Sequence, residues 1–330
     1  MNAILKGLAA LALASTFAGS AIAETINFGI ISTESQQNLR TKWQPFLDDM
    51  KKETGLEIEP FFATDYAGVI EGMRFGKVQM GWFGNKSAME AVDRAKGEVF
   101  AQSVPVSGEP GYYGLILAPK DSPLNSVDDL LKCDKTLNFG LGDPNSTSGY
   151  LVPMTFVFGA RNIDPKSCFK TVTNANHETN AMGVANGQLD AATNNTENLA
   201  LIEKNQPAAF QKVKIIWKSP LISSDPLVWS KDLSAETKEK LRTFVLNYGT
   251  DRTKGDKAEE LKTLAGLTWS PFRASSDDQL LPVRVMEVSK AMAATRSDAS
   301  LSAGAKAAKL KELEDKKAGY EAKLAAAPQG

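Results

Sequence analysis

The segment Gly142-Asp143-Pro144-Asn145-Ser146-Thr147-Ser148-Gly149 puts three hydroxyl side chains in a row between glycines, after an apolar run and before a helical one. That pattern suits a small anion. A helix N-terminus offers unpaired N–H groups and a partial positive charge, anions settle there for both reasons, and the hydroxyls add donors. Ser and Thr are also ordinary N-caps, so a capped helix start and an anion site both remain open readings, although three hydroxyls exceed what a cap needs. The segment is not a P-loop, because no Gly-Lys-Ser/Thr follows. It is not a dinucleotide fingerprint, because Gly140 and Gly142 lack the third glycine. Pro153 falls inside the following helix and crowds the carbonyl of Gly149, which predicts a bend or an irregular first turn.

Other candidates follow strand-like runs. His177, the only histidine, opens the helical stretch His177-Glu178-Thr179-Asn180; ligand donor and structural residue are both open for it. Glu197 lies in Asn194-Asn195-Thr196-Glu197-Asn198, where an acid near a helix start also suits the dipole. Asp225 precedes Pro226 in a turn-like setting. Brought to one cleft, Glu197 and Asp225 would bind an ammonium group. Tyr66, Tyr112, Tyr113 and Trp82 lie near strand ends or loops, where core and rim roles are common. One histidine and scattered carboxylates make a poor metal site. No serine sits in a Gly-x-Ser-x-Gly elbow. An enzyme is therefore not expected.

The elements that must hold these residues alternate. Thr25–Ile31 reads as a doubly buried strand. Leu39, Trp43, Phe46, Leu47 and Met50 form one helix face that Gly55 can end. Strands at 56–62 and 78–83 and helices ending near Gly76 and Lys96 complete a β-α-β-α-β unit, which argues for a mostly parallel, helix-covered sheet. A second unit runs from Tyr113 to Trp217 with strands at 113–118, 136–139, 169–173, 189–193 and 213–217. A strand at 227–229 follows, and the chain from about Ser234 reads as helical, with Ser276 and Gln279 at capping-box spacing. The fold class is α/β in two lobes, with crossings near 113–120 and 219–227. The boundaries expected are 24–115 with 225–330 for lobe 1 and 116–224 for lobe 2. Ligands in open α/β sheets bind beyond the carboxyl ends of strands, and two crossings make a hinge for closure.

With 330 residues and 42% of them hydrophobic, the chain can fill two cores. Residues 1–23 combine Lys6, an apolar run over Leu8–Ala14 and an Ala-x-Ala end, the form of a cleaved secretory signal; the apolar run is too short to span a bilayer. The remaining 37 basic and 39 acidic residues are interspersed, which excludes a nucleic-acid footprint. An exported chain permits a Cys133–Cys168 disulfide. Both cysteines directly precede strands that would be parallel neighbours, with two buried free thiols as the alternative.

The runs FGIISTESQQNL (28–39), FFATDYAGVIEGMRF (61–75), SAMEAVDRAKGEVFAQ (87–102), GDPNSTSG (142–149), HETNA (177–181), ATNNTENL (192–199), KIIWKSPLI (214–222) and WSPFRASSDDQL (269–280) closely resemble the periplasmic phosphonate-binding proteins of phosphonate ABC transporters. The likeness spans nearly the whole chain after residue 23 and is weakest over the last forty residues. The resemblance implies a type II periplasmic binding protein, without catalysis or cofactor, that hands a small phosphonate to membrane permease subunits. It implies that phosphonate oxygens meet Ser146, Thr147, Ser148 and His177, with Tyr66 and Tyr112 lining the site. It also implies that Glu197 and Asp225 meet the ammonium of 2-aminoethylphosphonate. Tyr113 and the Ser-Ser-Asp-Pro turn depart from the family pattern. A receptor for phosphite, phosphate or methylphosphonate is the alternative.

Overall fold

The computed structural model describes residues 24–326; the expected signal segment 1–23 lies outside them. In chain order the elements are β1 (Thr25–Ile30), α1 (Gln36–Thr54), β2 (Glu57–Phe62), α2 (Tyr66–Arg74), β3 (Met80–Trp82), α3 (Asn85–Arg94), β4 (Gly97–Pro105), β5 (Gly111–Pro119), α4 (Val127–Leu130) and β6 (Asn138–Leu141). A wide-turned helical stretch over 147–161 follows, then α5 (Pro165–Cys168), β7 (Thr171–Asn174), α6 (His177–Ala185), β8 (Ala191–Asn195), α7 (Thr196–Asn205), α8 (Pro207–Phe210), β9 (Val213–Ser223) and β10 (Pro226–Ser230). The chain ends with α9 (Ala235–Asn247), α10 (Lys257–Gly266), β11 (Trp269–Ala274), α11 (Leu281–Ser297) and α12 (Ala303–Ala326).

These strands form a six-stranded sheet, β11-β4-β10-β3-β1-β2, and a five-stranded sheet, β7-β6-β8-β5-β9. Each has a parallel half, β3-β1-β2 and β7-β6-β8, as the alternation requires. The antiparallel neighbours arise where the chain changes lobe. β5 and β10 each enter their sheet from the cleft side, so they run against the parallel strands, β8 and β3, that end there. The crossings are 106–110 and Ser224–Asp225, the first several residues earlier than expected. β5 pairs with β9 from Gly111 onward, so a boundary at 115/116 would cut a strand that lies wholly in the smaller sheet.

The expected face of α1 is buried in full. Ser35 caps its start by accepting from Asn38 N, and Gly55, at φ 69°, ends it by donating to Lys51 O. Trp43 and Phe46 pack on Phe28, and Trp43 meets Trp82 and Trp269 at centroid distances of 5.5 Å each. Truncating a core aromatic of this kind costs about 3–5 kcal/mol. The region after Ser234 is not helical throughout, because β11 lies antiparallel beside β4 at the sheet edge. Its register shifts between Ser270 and Arg273, around Pro271, which has no N–H for a ladder and belongs at edges and bulges. The expected capping box does not form. Ser276 caps Asp278 N, while the Gln279 amide turns away to donate to Asn85 Oδ1 and Ser224 O.

Cys133 and Cys168 form a disulfide at the amino ends of β6 and β7, which are parallel neighbours with Asn138 opposite Thr171. None of the described helices is long and apolar enough to cross a membrane.

Candidate functional site

Every cleft element starts where a strand ends. β2 leads to Tyr66, β3 to Gly84, β6 to Ser146–Ser148, β7 to His177 and β8 to Glu197. The N-termini of α2, α3, the 147–161 helix, α6 and α7 therefore converge on one cavity between the sheets. All eight expected site residues line it: Tyr66, Tyr112, Ser146, Thr147, Ser148, His177, Glu197 and Asp225. The space open to the centre of a water-sized sphere is about 40 Å³, equal to a few water molecules, which suits a small molecule.

The Ser-Thr-Ser run serves as cap and as anion site together. Ser146 Oγ accepts from Gly149 N at 3.0 Å, Thr147 Oγ1 from Lys86 N at 2.9 Å, and Ser148 Oγ from Asn195 Nδ2 at 3.1 Å. Each oxygen accepts one hydrogen bond, and Ser146 is also hydrogen-bonded to the Tyr66 phenol. The Thr147 and Ser148 hydroxyls donate to no described residue, so their protons are available to an anion. The helix behind them opens in π turns: Leu151 N donates to Ser146 O, and Val152 N to Thr147 O. Pro153 is the cause. An α-helical bond from residue 153 to Gly149 O is impossible without its N–H, and π segments are often found at functional sites. The freed Gly149 carbonyl instead accepts from Gly142 N at 2.9 Å and Thr193 Oγ1 at 2.7 Å. The approach is so close that a Cβ on Gly142 would lie 2.6 Å from Gly149 Cα, which accounts for both glycines of the motif.

His177 is buried, and burial lowers its imidazole to about 4, so it is neutral near pH 7. Asn195 Oδ1 accepts from Asn198 N, leaving Asn195 Nδ2 as the donor to His177 Nε2 at 3.2 Å. The ring proton is thereby assigned to Nδ1, which has no partner among the described residues. Burial also raises the phenols of Tyr66 and Tyr112, with Asp143 and Asp225 adding to the effect at Tyr66 and Asp225 and Glu197 at Tyr112, so both stay protonated.

The same cavity carries two carboxylates. Asp225 accepts from Tyr112 Oη at 2.9 Å, and Glu197 from Trp269 Nε1 at 3.3 Å. Burial pushes Glu197 up to about 7, against the opposing effects of Trp269 and Lys42. Burial, and then the charge of Glu197, hold Asp225 well above the usual range. The cavity lining includes a single lysine, Lys42, which pairs with Glu34. One cavity thus offers hydroxyl donors at a helix N-terminus, which suit an anion, and two buried carboxylates, which suit a cation.

Trp82, Trp269, Asn195 and Gly84 also line the cavity. Asn195, Trp269 and Glu34 lie within the family-like runs without having been singled out as site residues, and nothing local marks Lys42. Tyr113 is absent from the lining and instead carries the Lys218 ammonium 3.7 Å from its ring centre. No group of three or more acidic, histidine or cysteine residues suited to a metal occurs among the described residues.

Residues 28–280 match the family described as ABC transporter, phosphonate, periplasmic substrate-binding protein. This chain belongs to that family. It is 51% identical over 323 residues to the phosphonates-binding periplasmic protein of Escherichia coli K12, covering 95% of this chain and 93% of that one. A crystal structure of a binding-protein component of an ABC phosphonate transporter from Pseudomonas aeruginosa superposes with a TM-score of 0.87 at 54% identity, covering 92% of this chain and 98% of that one. The phosphate-import protein PhnD of Mycolicibacterium smegmatis is 32% identical over 236 residues, covering 67% and 71% of the two chains. The phosphonate-binding chain is thus a periplasmic transport component, not an enzyme.

Proposed function

We propose that this phosphonate-binding protein captures a zwitterionic aminoalkylphosphonate, with 2-aminoethylphosphonate the fitting member, and that the two lobes close on it. The phosphonate oxygens take the hydroxyl protons of Ser146, Thr147 and Ser148 at the helix N-terminus, with His177 Nδ1–H and the Tyr66 phenol as further donors. The ammonium lies against Glu197 and Asp225, with Tyr112 as wall and partner of Asp225. Residues 1–23 direct export, and permease subunits receive the ligand from the closed form. Closure gains only from contacts better made in the closed state.

The observation that carries this reading is the pair of buried carboxylates in the cavity that also holds the hydroxyl cluster. Buried charge needs a partner, and a ligand ammonium supplies one to both. A bare dianion would be repelled by these groups when ionised. The raised Asp225 favours a second reading: a protonated Asp225 can donate to phosphate, phosphite or methylphosphonate. A thermal-shift panel separates the two. The zwitterion reading expects the largest stabilisation with 2-aminoethylphosphonate; a larger shift with phosphate or phosphite would transfer the assignment to the second reading.

A further inference from the structure

Three helices of the larger lobe receive an oxygen from the smaller lobe at their N-termini. α3 has a glycine, Gly84, at its cap position and no side-chain cap of its own; Thr147 Oγ1 accepts its Lys86 N across the cleft at 2.9 Å. α2 is met by Asp143, whose Oδ2 accepts from Tyr66 N at 3.1 Å. α1 is met by Glu178. Its Oε2 accepts from Ser35 N at 2.9 Å and its Oε1 from Asn38 Nδ2 at 2.8 Å, while Gln206 Nε2, from its own lobe, steadies the same Oε1 at 3.2 Å. Glu178 N also donates to Thr33 O at 3.3 Å. Neither Asp143 nor Glu178 lines the cavity.

The electrostatics at Glu178 are specific. α1 has no acidic residue in its first turn, and Glu178 is the acid in the first turn of α6. Glu178, in the first turn of α6, bonds to Ser35 N and Asn38 at the start of α1, so the positive ends of the two helices meet around its carboxylate. The residue before it is His177, whose ring lines the cavity.

We infer that Glu178 is a clasp, a positioning residue that touches no ligand but stabilises the closed lobes and so lengthens the residence of every ligand. The inference rests on the closure reading above. A clasp of this kind multiplies all affinities by one factor, because apparent affinity scales with the fraction of binding-competent protein. A ligand contact would instead discriminate between ligands.

The test uses the mature wild-type protein with Glu178→Gln and Glu178→Ala. Calorimetry and stopped-flow tryptophan fluorescence are run with 2-aminoethylphosphonate and with methylphosphonate. Glu178→Ala is expected to weaken both ligands equally, by about tenfold, the worth of one net charge-assisted hydrogen bond, with the loss in the dissociation rate. Glu178→Gln keeps the shape and one acceptor but no charge, and falls between. Urea midpoints of the ligand-free proteins should agree with wild type, since the clasp joins lobes rather than holding either together. Small-angle scattering of ligand-free protein reads the clasp even if neither probe binds wild type, an outcome that would sink the ligand assignment instead. A larger mean radius of gyration in Glu178→Ala supports the clasp. Scattering identical to wild type, unchanged affinities, or a loss confined to one ligand would overturn it.

Discussion

Replacing Glu197 with Gln isolates the cation-seeking end of the cleft. The carboxyl stands at about 7 against an ordinary 4.5, so the protein disfavours its ionised form by roughly 3 kcal/mol. Trp269 Nε1, at 3.3 Å, is its one side-chain hydrogen-bond donor. A ligand ammonium placed there can recover up to that amount, and an uncharged amide can recover little of it. Glu197→Gln should therefore weaken 2-aminoethylphosphonate by about 2–3 kcal/mol, or roughly 30- to 150-fold in Kd. Methylphosphonate has no group at this end, and its Kd should change by less than about threefold. Titration calorimetry of both ligands against both proteins gives the four constants of the cycle. Equal losses for the two ligands would refute the reasoning, because they would make Glu197 a structural support of the cleft and not the partner of an ammonium.

Other consequences follow from the same structure. Glu197 must ionise to hold an ammonium, so binding of 2-aminoethylphosphonate near pH 7 should release protons, seen as a buffer-dependent heat, and the Glu197 contribution to affinity should fall about tenfold from pH 8 to pH 6. Glu197→Gln should lose that component while the phosphonate's own titration persists; an unchanged pH profile would contradict it. In the ligand-free protein the sign is opposite. Because the folded-state value of Glu197 is raised, its stabilising contribution is present below about 4.5 and is lost as pH rises through about 7. His177 acts the other way, its contribution present above about 6.5 and lost as pH falls through about 4. The Cys133–Cys168 bridge closes a sequence separation of 35, so a double Ala variant should lose about 3–4 kcal/mol of stability. Ligand affinity should be unchanged, because the bridge lies at the strand ends away from the cleft; an unaltered urea midpoint would count against this.

The parts of the fold legible in the sequence were those written in local pattern. The apolar spacing of Leu39 to Met50 and the stop at Gly55 defined α1 without help from the rest of the chain. Ser146–Ser148, His177 and Glu197 could be nominated because a parallel sheet delivers the residues after each strand to one edge, whereas Tyr66 and Tyr112 were named as site residues only through the family resemblance. Pro153 signalled an irregular turn, but not that the carbonyl it frees would tie Gly142 to Thr193. What was not legible depends on partners distant in sequence. β11 becomes a strand because β4 accepts it at the sheet edge, although Ser270-Pro271 is a weak strand signal. Gln279 looks like half of a capping box, yet its amide is drawn to Asn85 and Ser224. Glu178 reads as an ordinary first-turn acid until α1 is placed opposite it.

The central claim is that one end of this cleft selects an ammonium while the other holds the phosphonate. Titration calorimetry with 2-aminoethylphosphonate and ethylphosphonate tests it most directly, since the two differ only by the amino group. The zwitterion assignment predicts tighter binding of 2-aminoethylphosphonate by at least about tenfold near pH 7.5. Equal affinities, or tighter binding of ethylphosphonate, would contradict it.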